Sequence, residues 1–422
     1  VVTIAPLIAA SLSEFLEGNS HRERIAAASS PYSDRACSAE ETFRRIEPCL
    51  AAHGITRLGR LTGLDKIGIP VWQAVSPNAH SIVINNGKGI TDLDAKVSAA
   101  MEALERTVAG APAVKTVTTS RRQLMAEGHD ADPLPSLIAK GQADIADDED
   151  IAWAEGYDLI AGRKAWIPFN AVTLDRTIRN PRFWQSSDGL ASGNVLAEAI
   201  LHGLLERIER DAEVLWDISE PKLRMGACID PACFADPVLD ELIMKITAAG
   251  LTLRLFDITS NIGIPVIVAL LGPGKIAQAR RIRYLDVTIG SGAHPSPVRA
   301  AIRAVTEAAQ SRLTFISGAR DDIRPENFTR ELPDSIRRCF DAIPKTVVGL
   351  NAILPDGAEA LLHFTVDRLR QAGITSAIAL SLGHASLPFA VAKLAVPQLE
   401  NPAGDRKRRF GYRAISKTLQ LL

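Results

Sequence analysis

A chain of 422 residues, 46% hydrophobic and 23% charged with a formal net charge of −1, can bury a large core as one elaborate domain or as two or three simpler ones. That balance leaves no surplus of Lys and Arg to neutralise a phosphate backbone, so nucleic acid is not an expected partner. Five scattered cysteines without a CxxC pair exclude a disulfide framework and a zinc knuckle. The apolar start, Val1 to Leu12, is too short to cross a bilayer and has no basic residues before it, so a cytoplasmic chain without a membrane partner is expected.

Residues 1–55 read as a helical segment, with Ser38, Ala39, Glu40 and Glu41 as a helix start before Phe43, Ile46 and Leu50. Strands are expected over 67–75 and, after the turn at Pro77 and Asn78, over 81–84. Gly87, Lys88 and Gly89 should break the second strand, and a helix should follow over 92–108. Residues 112–150 are polar and turn acidic from Asp144, which reads as a surface excursion. A strand pair around Trp153 and around 165–168 precedes a glycine-bearing loop over 186–194, and a long helix over 196–213. Strands follow over 253–257 and 264–271, the latter apolar enough to be buried on both faces. A third helix is expected over 297–311, a strand after Ile374, and a basic tail from Arg406 to Arg409. Mixed elements without strict alternation give an α+β class. The expected organisation is a helical segment over 1–55, a main domain over 56–400 and a tail over 401–422.

An internal repeat at an offset of 104 residues carries most of the information. Gly89, Asp94, Ala95, Glu102, Glu105 and Arg106 align without a gap on Gly193, Glu198, Ala199, Glu206, Glu209 and Arg210. At about 100° per residue, Ser98, Glu102 and Glu105 fall within about 60° of one another, and the stripe of Val97, Met101, Leu104 and Val108 is centred about 90° away. In the second helix Asn194, Glu198, His202, Glu206 and Glu209 share a stripe, about 110° from the apolar centre at Leu204 and Ile208. A solvated face would lie opposite the core and mix Lys with Glu. Here the acids occupy the shoulder of the buried face, with no Lys among them. Two such stripes repel themselves unless a cation neutralises them, and four or five hard oxygen ligands suit Mg²⁺ arriving with phosphate. The bland alternative is a set of i,i+3 and i,i+4 ion pairs at a helix surface.

The third helix adds Glu307, Gln310 and Ser311 on one stripe with Arg303 nearby; Arg312 lies about 140° from Glu307 and faces elsewhere. His202 reads as a packing residue and not as a metal ligand, and His294 and His384, beside glycine-containing turns, read as structural. No GxxxxGK[ST], GxSxG or HExxH pattern occurs. Gly87, Lys88 and Gly89 stand before the first acidic helix, where amides and Lys88 can meet a phosphate.

The set Ser98-x₃-Glu102-x₂-Glu105-Arg106, Asn194-x₃-Glu198-x₇-Glu206-x₂-Glu209-Arg210 and Glu307-x₂-Gln310 resembles the ATP-binding motifs of the YcaO family. The stretches 60–74 and 189–194 are similar to that family too, and the resemblance covers about residues 40–400. It implies a YcaO-like fold whose acidic helices frame an ATP cleft, with ATP and Mg²⁺ as cofactors and a peptide as substrate. The family phosphorylates or adenylates a backbone amide oxygen and lets a nucleophile attack the activated carbon. The product is an azoline, a thioamide or an amidine. By this resemblance Glu102, Glu105, Glu198, Glu206 and Glu209 hold metal and triphosphate, and Lys88, Ser98, Asn194, Arg210, Glu307 and Gln310 complete the nucleotide site. No catalytic acid or base is implied. Azoline-forming members end in a PxPxP tail; this chain ends Lys-Thr-Leu-Gln-Leu-Leu, which departs from that pattern. Asp188 stands where many relatives carry Asn, and no leader-gripping module is seen. The branch that works with a TfuA-like partner protein, in peptide thioamidation, matches best, and a homodimer is the expected assembly. A cyclodehydratase and a nucleotide-binding scaffold without catalysis stay open as alternatives.

Overall fold

The computed structural model describes residues 5–18, 31–274, 276, 281–347 and 354–420. The N-terminal segment is helical in α1 (Ala5–Gly18) and α2 (Ala39–Leu50), residues 31–38 and 51–55 are turns and irregular chain where helix was expected, and residues 1–4 and 19–30 of that stretch lie outside the described residues. Ser38 caps α2 by accepting from Glu41 N at 3.2 Å. Next, β1 (Arg57–Arg60), β2 (Val71–Val75) and β3 (Ile84–Lys88) form an antiparallel sheet. Helix α3 (Asp92–Gly110) returns over it, opened by a capping box between Thr91 and Asp94.

Two expectations are corrected here. The strand expected from residue 67 starts at Val71, since the chain turns at Gly68 with φ 75°. The strand expected over 81–84 begins at Ile84, and Gly87 continues it instead of breaking it. A Cβ on Gly87 would lie 2.0 Å from Ala99 N and 2.3 Å from Ala95 O. The missing side chain is what lets α3 lie against the strand.

The stretch 112–150 is more than a surface excursion. It holds β4 (Thr116–Thr119), α4 (Arg121–Ala126) and β5 (Asp130–Ala131). These join β6 (Ile151–Asp158) and β7 (Arg163–Pro168), β4 pairing with β6 and β5 with β7. The fully buried Trp153 anchors the segment by donating from Nε1 to Thr119 O at 2.9 Å. Its acidic end is held by Arg182 on Glu149 and by Arg408 on Asp144.

After α5 (Phe169–Val172), β8 (Leu190–Gly193) leads into α6 (Leu196–Asp217). Then come α7 (Pro221–Gly226), β9 (Cys228–Ile229), α8 (Pro237–Ala248), β10 (Leu251–Asp257), β11 (Val266–Pro273), β12 (Thr288–Ala293) and α9 (Pro297–Ser317). Four of these strands make a sheet in the order β12-β11-β10-β9. The chain goes on through α10 (Asp334–Arg337), α11 (Ala358–Gln371), β13 (Ile378–Ser381), β14 (Ala390–Ala395) and α12 (Tyr412–Leu419). Strands β13 and β14 complete the middle sheet, β5-β7-β6-β13-β14-β8 with β4 beside β6. The class is α+β, as expected. Among the described residues no helix is long and apolar enough to cross a membrane.

What positions the site is one construction used three times. Each of β3, β8 and β12 runs into a long helix, and each carries a glycine where a Cβ would strike that helix. At Gly193 it would come 2.5 Å from Glu198 Cβ, and at Gly290 2.2 Å from Ala308 N. Close packing fixes α3, α6 and α9 against backbone, so their outward stripes are held at set positions. Helix α6 is also held from behind. Asp211, fully buried, accepts from Arg413 Nε and Nη2 at 2.8 Å each and from Glu400 N at 2.9 Å.

Candidate functional site

Helices α3 and α6 turn their acidic stripes, and α9 its stripe of Glu307, Gln310 and Ser311, toward one cavity of about 1260 Å³. Lys88, Ser98, Glu102, Glu105, Asn194, Glu206, Glu209, Arg210, Glu307 and Gln310 all line it. The two copies of the repeat therefore face a common space. Glu198 is not among the lining residues. Its buried carboxylate accepts from Ala36 N, from Asn194 N at 2.9 Å and Nδ2 at 3.3 Å, and pairs with Arg35 Nη1 at 3.3 Å.

The charges at the cavity are unevenly matched. Arg210 serves four carboxylates: Glu213 at 2.9 Å, Glu209 at 3.4 Å, Glu206 at 3.7 Å and Asp188 at 3.8 Å. Despite its burial, these neighbours, Glu213 and Glu209 foremost, hold the guanidinium firmly protonated. Burial pushes Glu209 up to about 7 although Ala293 N donates to it at 3.0 Å. Glu105 is raised well above the carboxylate range by burial and then by the charge of Glu102, and Glu206 is raised by burial. Glu307 goes the other way: burial pushes it up, but the ion pair with Lys88 and the charges of Arg210 and Arg303 together lower it. Several carboxylates thus pay for ionisation unless a further cation comes, and the donors are hard oxygens, which fits Mg²⁺. Among the described residues no three His, Cys, Asp or Glu side chains converge into a ready cage. Phosphate oxygens and water would have to complete the coordination, as Mg²⁺ commonly requires.

A loop ties the two acid helices together. Arg106 of α3 reaches Ser187 Oγ at 3.4 Å, Gly189 N donates to Glu206 at 3.0 Å, and Asp188 faces Arg210. From behind, the buried Lys393 donates to Ser186 O at 2.8 Å and Asp188 O at 2.9 Å. Burial pushes this ammonium down to about 8. Between that value and the ordinary one for lysine the unfolded chain binds the extra proton, so this group makes stability rise with pH from about 8 to about 10.5. Lys393→Met should flatten that rise by on the order of 2 kcal/mol. Denaturant melts of both proteins at pH 8 and pH 10 would show it, and parallel pH profiles would contradict it.

Sequence reasoning left part of the wall without a role. Asp188 and Glu213 belong to the Arg210 cluster, and Glu213 had a signal, one turn beyond Glu209 on the same stripe. Arg303 lines the cavity with no ion-pair partner among the described residues. An irregular strap over residues 32–37 had no periodic signal at all. Tyr32 bonds Asp236 at 2.9 Å; Asp34 takes His294 at 2.8 Å and Arg299; Arg35 reaches Ser192 O at 3.2 Å and His202. His294, which lines the cavity, is engaged at both ring nitrogens: its Nδ1 accepts from Ser296 N at 2.8 Å and its Nε2 meets Asp34. Arg312 faces away from the cavity lining and pairs with Asp65 at 3.3 Å.

Comparison with known proteins gives this arrangement its context. The family model described as YcaO cyclodehydratase, ATP- and Mg²⁺-binding, matches residues 86–400, about three quarters of the chain. The chain belongs to the YcaO family. The match opens on β3, beside Lys88, and takes in all three helices that face the cavity of this YcaO protein. It is 40% identical over 406 residues to an uncharacterized protein in the tfuA 3′ region of Rhizobium leguminosarum bv. trifolii, covering 93% of this chain and 95% of that one. That relative agrees with the TfuA-associated branch to which the motifs pointed. Among solved structures, the YcaO from Methanopyrus kandleri bound with AMPPCP and Mg²⁺ is similar with a TM-score of 0.67 at 21% identity, over 93% of this chain and all of that one. A heterocyclase in complex with substrate and cofactor is similar at 0.69 and 21% identity, over 87% of this chain. This YcaO chain spans about half, 53%, of that heterocyclase. At these identities the two structures establish the YcaO fold.

Proposed function

We propose that this YcaO protein uses ATP and Mg²⁺ to phosphorylate a peptide backbone amide oxygen, so that sulfide can replace that oxygen and leave a thioamide. The observation that carries the reading is the convergence of the repeated acid stripes on one cavity, with too few cations of its own. In the reaction the amide oxygen takes the terminal phosphoryl group and ADP departs; hydrosulfide adds to carbon, the C–O bond breaks, and phosphate leaves with the hydrosulfide proton. Glu102, Glu105, Glu206 and Glu209 would hold the metal; Glu198 joins them only by exchanging its contact with Arg35. Lys88, Ser98, Asn194, Arg210, Glu307 and Gln310 would orient the nucleotide. Positioning and charge neutralisation are the main demands of phosphoryl transfer, and this wall supplies both. The cavity exceeds the usual range for one small ligand, roughly 300–1,000 Å³, which leaves room for a stretch of peptide.

The tfuA-region relative favours sulfide and a TfuA-like partner protein. The family description as cyclodehydratase favours azoline formation as the second reading. An array of peptides with ATP, Mg²⁺, sulfide and the partner decides between them. A heavier product marks exchange of oxygen for sulfur; a lighter one marks loss of water. Phosphate release that ignores peptide altogether would sink both. We further expect the chain alone to release phosphate slowly, and peptide with partner to accelerate it at least tenfold by completing the site. Full turnover with peptide but no partner would refute that requirement.

A further inference from the structure

His202 stands on the second acid stripe, one turn from Glu198 and one from Glu206, and it lines the cavity. Its Nδ1 lies 3.1 Å from Arg35 Nη2. A guanidinium only donates, so Nδ1 must be the accepting nitrogen, and the ring's one proton sits on Nε2. Nε2 has no protein partner among the described residues and is not a buried orphan, so that N–H is left to the cavity. Arg35 belongs to the strap, whose own anchors on Ser192 O and Glu198 keep it in place.

The surroundings keep the ring neutral. Burial, then the charges of Arg35, Arg303, His294 and Arg299, hold its pKa well below the usual value. A neutral imidazole whose lone pair is already engaged cannot take a proton from substrate. It can donate a hydrogen bond to an oxygen that gains negative charge, and a neutral donor does so without the risk of giving its proton away.

Resting on the function proposed above, we infer that His202 is the hydrogen-bond donor to the peptide amide oxygen as charge develops on it, with Arg35 as the positioning residue that fixes its tautomer. The ligand class is thus a carbonyl oxygen on its way to an oxyanion, and the phosphates belong to the other residues of the wall. This gives the strap a task in catalysis and makes His202 neither a metal ligand nor a base.

The test uses a peptide found modified in the array, the full chain and its partner. His202→Leu should lower peptide-dependent phosphate release about a hundredfold, while His202→Gln, which keeps an N–H near the place of Nε2, should stay within about tenfold of the unaltered chain. Affinity for Mg²⁺–AMPPCP, read by calorimetry, should be unchanged in both. Nitrogen NMR of ¹⁵N-histidine in the unaltered chain should show the Nε2–H form for His202, and Arg35→Met should release it to a mixture, a readout that does not depend on the His202 variants folding. Unchanged turnover in His202→Leu, equal loss in His202→Gln and His202→Leu, loss of Mg²⁺–AMPPCP binding, or an Nδ1–H tautomer would each overturn the assignment. If no peptide stimulates the unaltered chain and its partner, the parent reading fails and this inference with it.

Discussion

Glu209→Gln is expected to abolish measurable binding of Mg²⁺–nucleotide, a loss of more than about a hundredfold, and at the same time to make the apo chain more stable at pH 8. The two effects share one cause. Glu209 is buried with an upward-shifted pKa of about 7. A carboxyl raised in this way stabilises the folded chain fully below its ordinary pKa and loses that contribution as the pH climbs through 7. Above that, the carboxylate is held charged at a cost until metal arrives. Replacing it by an amide removes the charge, for a gain on the order of 2 kcal/mol in the apo state. Ala293 N retains its acceptor in the amide oxygen, and Ser291 Oγ, which donates to the other carboxylate oxygen, would instead accept from the amide NH₂. Calorimetry with Mg²⁺–AMPPCP and thermal melts without metal measure the pair of effects. Glu105→Gln should behave alike, since burial and Glu102 raise it in the same direction. Nucleotide affinity that survives either substitution would refute the metal assignment.

Gly87→Ala should do the reverse, damaging the fold before it touches the chemistry. The added methyl would sit 2.0 Å from Ala99 N and 2.3 Å from Ala95 O, both backbone atoms that cannot rotate aside. Helix α3 must shift off β3, at a cost of about 3 kcal/mol or more. Lys88 and Glu105 would then separate from the partners that α9 and β8 offer them. Denaturant midpoints of Gly87→Ala against Gly63→Ala, where nothing lies within 4 Å of the new methyl, would isolate the clash. Equal midpoints would mean that the close approach contributes nothing.

The stripes on α3 and α6 were legible because helix period and charge can both be read from neighbours in sequence. Glu102, Glu105, Glu206 and Glu209 needed no tertiary information. The strap was not legible, since Asp34 finds its partners just after β12 and on α9, some 260 residues away, and no local pattern announces such contacts. β12 escaped for a different reason. Its sequence, Thr-Ile-Gly-Ser-Gly-Ala, lacks the alternation of a strand because its glycines serve the approach of α9. The same cause misplaced β3, where Gly87 reads as a breaker and acts as a seat. Glu198 matched the motif on spacing alone, and only the fold shows that Arg35 and the Ala36 amide already occupy its oxygens.

The grip of Asp211 on Arg413 and on the amide of Glu400 has a consequence for cooperativity. Terminal helices ordinarily fray, and their amides exchange with solvent through openings of little free energy. Here α12 is bolted to α6 by a buried bidentate pair, one residue beyond the cavity-lining Arg210. The amides of α12 should therefore open with α6 as one unit. Their exchange protection becomes a remote gauge of how tightly the acidic helix is held, readable at the opposite side of that helix from the cavity itself.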